Sequence, residues 1–273
     1  MTMMRRAAAA AVGTALAAAL NLTAAHAVTT SDGAAVKNAP LAANVPVPAP
    51  VPAPVPAPGS APAASPGLDE GWQGDGLSLT PAENNAVEEF LTEARRTEAV
   101  ISPRLRSIAR LSQAELAGFD QRLKSPDSLK RKVATSLVDH PGQNIDQALA
   151  GIGDSVRYTF QWPTDRYTDG VAVAARFVSA WQGPAVRWKN TWGSKTGYKG
   201  INTNWDESST RHRFEIQFHT PESRGAAVIT HRLYEEKRLP GTSPERSREL
   251  QRQMDEIFGA VTVPAGAAQL TAP

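Results

Sequence analysis

Residues 187–220 read RWKNTWGSKTGYKGINTNWDESSTRHRFEIQFHT, and the alternation inside this stretch decides the fold. Ile201, Thr203 and Trp205 recur at every second position, as do Phe214, Ile216 and Phe218, with polar residues between them. A period of two marks strands with one buried face. The stretch predicts a strand, a basic aromatic loop and a hairpin. Glu215 and Gln217 then share the face opposite the phenylalanines, beside Lys189, Lys195, Tyr198 and Lys199. A carboxylate fixed among ammonium groups suits magnesium and phosphate, because cations neutralise phosphate while the metal takes oxygen ligands. A solvated sheet edge fits the same pattern.

Upstream, DSVRYTFQW (154–162) alternates in the same way, with Val156, Tyr158, Phe160 and Trp162 on one face and Asp154 at the start. Asp154 and Arg157 read either as a metal ligand and a phosphate contact or as a turn residue and a surface charge. Before them, in RLKSPDSLKRK (122–132), Ser125-Pro126 opens a helix running to about Val138. Ser128 and Lys132 are four apart and share a face near its start, with Arg122 and Lys124 just ahead. Free amides at a helix start attract anions. An exposed basic face without a ligand is the other reading.

The remaining helices follow from caps and spacing. Thr80-Pro81-Ala82-Glu83 is a capping box, and Val87, Phe90, Leu91 and Ala94 predict a helix to about Val100. Ser102-Pro103 predicts a second short helix carrying Leu105, Ile108 and Leu111, and Ser112 with Glu115 a third carrying Leu116 and Phe119. Further helices are expected over Asn144–Ala150, from Thr168 to about Trp181, from Thr220-Pro221 to about Glu236 and from Ser243-Pro244 to about Phe258. The fold class is α+β, a mixed sheet flanked by helices in one domain.

Of the 273 residues, 1–27 read as a signal peptide, with Arg5 and Arg6, an apolar run from Ala7 to Leu20, and Ala25-His26-Ala27 as the cleavage pattern. That run is too short to span a membrane, and a secreted, extracellular protein is expected. Residues 28–67, with VPVPAPVPAPVPAP at 45–58, favour extended polyproline II and form a disordered Pro/Ala-rich leader, either a tether or a plain spacer. Residues 68–260 form the folded domain and 261–273 a flexible tail.

The chain has 29 basic and 27 acidic residues, and removing Arg5 and Arg6 leaves 27 of each. A near-neutral mature chain argues against long nucleic acid as a partner. Cysteine is absent, which excludes thiol chemistry and disulfides. GSKTG (193–197) lacks the glycine spacing of a P-loop, and Gly151 and Gly153 lack the third glycine of a dinucleotide fingerprint. The five histidines show no zinc spacing, and no GxSxG occurs.

The order of the separated pieces resembles the synthetase domain of the RelA/SpoT alarmone synthetases. R-x-K-x-x-x-S-L-x-x-K is met by Arg122, Lys124, Ser128 and Lys132; the acidic strand start by Asp154 with Arg157; G-Y-x-x-x-x-T by GYKGINT (197–203). E-x-Q-x-x-T is met by Glu215, Gln217 and Thr220, and H-x-x-Y by His231 and Tyr234. The resemblance covers about Leu116 to Arg238. Asn202 stands where the family commonly has histidine, Gly200 where serine is common, and His219 where arginine is usual. With its secretory start, the chain is similar to the secreted actinomycete ATP:nucleotide 3′-pyrophosphokinases.

The resemblance implies a nucleotidyltransferase-like sheet and transfer of pyrophosphate from ATP to the 3′-hydroxyl of a purine nucleotide. Asp154 and Glu215 would hold Mg²⁺, with Glu215 also the candidate base. Arg122, Lys124, Ser128, Lys132 and Arg157 would clamp the ATP phosphates. Tyr198 would stack on the acceptor base, with Lys189, Asn190, Lys199, Asn202, Gln217 and His219 lining the acceptor side. An exported toxin acting on nucleotides or tRNA ends, and a non-catalytic nucleotide-binding module, are the alternatives.

Overall fold

The computed structural model describes residues 70–238 and 241–273; the signal-like stretch and the Pro/Ala-rich leader expected at 1–67 lie outside them. A hairpin, β1 (Trp72–Gly74) with β2 (Leu77–Leu79), precedes the long helix α1 (Pro81–Leu111). Then come β3 (Glu115–Ala117), a single 3₁₀ turn at Phe119–Gln121, α2 (Pro126–Asp139), α3 (Ile145–Ala150), β4 (Arg157–Gln161) and α4 (Tyr167–Gln182). The chain finishes with β5 (Arg187–Asn190), β6 (Ile201–Asp206), β7 (Arg213–His219), α5 (Pro221–Arg238), α6 (Pro244–Gly259) and a 3₁₀ turn at Ala267–Gln269.

β3 to β7 form one mixed sheet in the order β3-β4-β7-β6-β5, with β4 and β7 parallel and the other pairs antiparallel. The α+β expectation holds. Register puts Ile201 opposite Phe218, Thr203 opposite Ile216 and Trp205 opposite Phe214, so the period-two residues share one face. Tyr158 and Phe160 of β4 extend that face through Ile216 and Phe218. It packs with Ile101, Leu105 and Ile108 of α1 and Val171, Ala174 and Val178 of α4. Polar groups in this core are paired: Thr203 Oγ1 donates to Ile216 O at 2.9 Å and accepts from Trp205 Nε1 at 2.8 Å. A second cluster joins the hairpin, the first half of α1, α2 and α3 through Leu79, Val87, Leu91, Leu129, Val133 and Leu149.

Three expectations are corrected. Pro103 does not divide α1, which runs unbroken for 31 residues. Interior proline costs about 3 kcal/mol, yet the buried positions Val87, Leu91, Ala94, Ile101, Leu105 and Ile108 continue at helical spacing through it, and their burial outweighs that cost. Ser112 caps the end of α1 rather than the start of a third helix, and Glu115–Ala117 is an edge strand because it pairs with Gln161, Phe160 and Thr159 of β4. The hairpin at 72–79 has no counterpart in the expected elements.

The third correction concerns the expected flexible tail, 261–273. Val261 and Ala267 join the main core. Asn190 Nδ2 donates to Ala267 O at 2.8 Å and Leu270 O at 3.0 Å, while Trp188 Nε1 donates to Leu270 O at 3.2 Å. Thr168 Oγ1 donates to Ala265 O at 2.6 Å. Side chains of β5 and α4 thus satisfy the tail's carbonyls, which a pattern search along the tail alone does not register. Among the described residues no helix is long and apolar enough to cross a membrane.

Candidate active site

The face of the sheet opposite the aromatic core is polar. Across the strands one row reads Arg187, Asn204, Glu215, Arg157, and the next reads Lys189, Asn202, Gln217, Thr159. These rows follow from the alternation that buries the phenylalanines, since every second residue must face the other way. Glu215, Gln217, Asn204 and Arg157 are nonetheless buried.

Asp154 enters this face because residues 122–124 pair with the start of β4. Arg157 N donates to Arg122 O at 2.7 Å, Lys124 N donates to Ser155 O at 2.9 Å, and Leu123 bridges Val156. Lys124 Nζ then reaches Asp154 Oδ2 at 3.1 Å. From the second turn of α2, Lys132 Nζ reaches Oδ1 at 2.7 Å. Asn204 fixes the turn ahead of the carboxylate, its Nδ2 donating to Gly153 O at 2.8 Å. Burial works to raise the Asp154 pKa, but the Lys124 and Lys132 ammoniums, with Arg157, hold it down at about 2.

Glu215 stands in the opposite condition. It is 1 % exposed, and its Oε2 has no hydrogen-bond partner within the protein. Burial, opposed by Arg157 and reinforced by Asp154, pushes its pKa up to about 7. Arg157, its cross-strand neighbour, likewise has a buried, unpartnered Nη1. Two buried polar atoms without partners in the protein, one acidic and one cationic, thus stand on neighbouring strands of the polar face, able to take a ligand or water.

Magnesium fits this donor set. It is held by one or two carboxylates together with substrate phosphates rather than by a full protein cage. Asp154 and Glu215 would supply oxygen ligands, and the unpartnered Oε2 is the observation that carries the fit. Lys124, Lys132 and Arg157 leave a local excess of positive charge over the two carboxylates, which suits a polyphosphate.

The other expected site residues divide. Ser128 stays at the start of α2, accepting from Ser125 Oγ at 2.9 Å, one turn before Lys132. Lys189 and Asn202 are cross-strand partners on the polar face, and Gln217 accepts from Thr159 Oγ1 at 3.4 Å. Tyr198 is half-buried, with its ring edge-on to His219 and Phe258.

Four of the expected site residues are engaged by internal partners. Arg122 pairs with Glu98 through Nε and donates from Nη1 to Phe119 O at 3.0 Å, its guanidinium lying over the Phe119 ring. Glu98 also accepts from Ser102, which bonds Tyr158 Oη at 2.7 Å, so Arg122 is tied to α1. Asn190 pairs with Ile201 in register, on the apolar face, and holds the C-terminal segment. Lys199 is buried and donates to Ser194 O. His219 is buried with both ring nitrogens occupied by Tyr198 and Ser223, which leaves neither for an acceptor. In each case a polar group in a folded interior finds a nearby internal partner, a demand that residue type and spacing do not reveal.

Asn204 was absent from the expected site, although its alternation with Asn202 on β6 signals the face it occupies. Burial lowers the pKa of His231 on α5, opposed by the Glu235 carboxylate and reinforced by the Arg157 and Lys124 cations.

No family model and no curated protein matches the chain. Among solved structures it is similar to the small alarmone synthetase 1 from Bacillus subtilis bound to its product pppGpp, at 18% identity and TM-score 0.45 over 63% of this chain and 90% of that one. The same synthetase bound to AMPCPP is similar at 17% identity and TM-score 0.39, over 63% of this chain and 89% of that one. A GTP pyrophosphokinase family protein from Streptococcus pneumoniae is similar at 16% identity and TM-score 0.43, over 67% of this chain and 97% of that one.

Proposed function

We propose that this chain is an ATP:nucleotide 3′-pyrophosphokinase, transferring the β,γ-pyrophosphate of ATP to the 3′-hydroxyl of a purine nucleotide with release of AMP. The observation that carries the reading is the buried pair Asp154 and Glu215, one carboxylate held ionised by two lysines and the other kept near neutrality with an unpartnered oxygen. Two carboxylates whose surroundings push their pKa values apart suit different roles. The motif order from Arg122 to Thr220 supports the same reading.

Magnesium bound at Asp154 and Glu215 would supply charge neutralisation across the transferred phosphates. Lys124, Lys132 and Arg157 orient the triphosphate and offset the charge that develops as the 3′-oxygen attacks the β-phosphorus. Glu215, with a pKa near 7, is suited to accept the 3′-hydroxyl proton near neutral pH. Lys189 and Asn202 lie one row further along the sheet, where the acceptor's ribose or phosphate would rest, and Tyr198 stands at the edge of that row to meet its base. The signal-like start at 1–27 supports export, so this chemistry takes place outside the cell.

The test is direct: labelled ATP, Mg²⁺ and separate purine nucleotides are incubated with the chain. AMP together with a 3′-pyrophosphorylated product supports the reading, and nucleotide binding without product overturns it.

A further inference from the structure

Four side chains form a continuous run of hydrogen bonds at the acceptor end of the sheet. Ser223 Oγ lies 2.8 Å from His219 Nδ1, His219 Nε2 lies 2.6 Å from Tyr198 Oη, and Tyr198 Oη lies 2.8 Å from Asn202 Oδ1. Donor counting sets the direction of the run. An amide oxygen only accepts, so Tyr198 gives its single proton to Asn202. The tyrosine oxygen must then accept from His219, which places the ring proton on Nε2. Nδ1 is left to accept from the Ser223 hydroxyl, whose proton is shared with the more distant Thr220 O at 3.2 Å, and Ser223 Oγ itself accepts from Thr220 N at 3.0 Å.

The surroundings keep this arrangement in one state. His219 is 2 % exposed, and burial, with the Arg224 and Arg157 cations, pushes its pKa down to about 3. Its ring meets Tyr198 edge-on with centroids 5.3 Å apart, and Phe258 packs on the same tyrosine at 5.7 Å. Gly200 completes the enclosure. A Cβ at that position would stand 3.1 Å from His219 Cε1 and 3.2 Å from Tyr198 Cε1. Glycine at 200 and histidine at 219, two departures from the family pattern that the sequence resembles, therefore meet in space.

We propose that His219 is a positioning residue that acts through Tyr198: as an Nε2–H donor it fixes the tyrosine ring for the acceptor base and does not itself touch the acceptor. The role rests on the pyrophosphokinase reading. A phosphate contact from His219 would need a free ring nitrogen or a charged ring, and the structure provides neither.

The experiment has two arms. Side-chain ¹⁵N shifts of the full chain are expected to report the Nε2–H tautomer, unchanged between about pH 5 and 8; an Nδ1–H tautomer or a titrating ring overturns the proposal. In steady-state kinetics His219→Leu is expected to raise the acceptor KM about tenfold, the worth of one hydrogen bond, with the ATP KM held within about twofold. His219→Gln, which keeps an N–H donor, is expected to recover most of that loss. In a Tyr198→Phe background His219→Leu should add less than about twofold, because both changes break one link. Effects that multiply in the double variant, or an ATP KM that rises as much as the acceptor KM, overturn it. A wild-type chain that transfers nothing defeats the pyrophosphokinase reading, and the tautomer measurement tells that failure from a failure of the network.

Discussion

Lys132 Nζ and Asp154 Oδ1 lie 2.7 Å apart, joining the second turn of α2 to the start of β4 across 22 residues of sequence. Asp154 takes Lys124 on its other oxygen, so a single buried carboxylate ties two cationic elements to the sheet. The same contact that stabilises the fold holds the two ammoniums where phosphates would bind.

Asp154→Asn is expected to abolish transfer and to destabilise the chain by about 3–5 kcal/mol, the cost of leaving a buried charge without its partner. Denaturant unfolding checks the second part. An active variant of unchanged stability would contradict the assignment of Asp154.

Glu215→Gln separates function from stability. The raised Glu215 pKa means that the folded state binds this proton more tightly than the unfolded chain does. The sign follows: wild-type stability falls as pH rises from about 4.5 toward 7, by on the order of 3 kcal/mol, and is flat above. Glu215→Gln removes that loss. The variant is expected to be inactive yet at least as stable as wild type at about pH 8, as thermal unfolding at two pH values would reveal.

Asp154 behaves in the opposite sense. Its pKa is held at about 2, below its ordinary value, so its contribution is present above about pH 4 and is lost as pH falls toward 2. Acid unfolding of wild type should begin in that window, and Asp154→Asn should lack this component.

Arg122→Ala is expected to destabilise the chain by about 1–3 kcal/mol, since it breaks the pair with Glu98 and uncovers Phe119. If the ATP KM rises while stability is unchanged, Arg122 contacts ATP after all.

Much of the fold was legible because alternation and caps are local signals. Phe214, Ile216 and Phe218 announce the buried face of β7, and Ser125-Pro126 announces the start of α2. What was not legible depends on contacts distant in sequence. β3 is a strand only because β4 lies beside it, and α1 passes through Pro103 only because the core stripe continues. The site shows the same division. Asp154, Lys124, Lys132, Arg157 and Glu215 fall together as their motif order implies, while Asn190, Lys199 and His219 are claimed by internal partners.

The most direct test of the central claim is the pH profile of kcat/KM for AMP release from ATP, with Mg²⁺ and a purine nucleotide acceptor, in wild type and Glu215→Gln. A wild-type rate that rises with pH as Glu215 loses its proton, with the rise centred below about 7 because bound Mg²⁺ favours the ionised carboxylate, and no transfer by the variant, is the predicted result. Transfer by Glu215→Gln at near wild-type rate would contradict it.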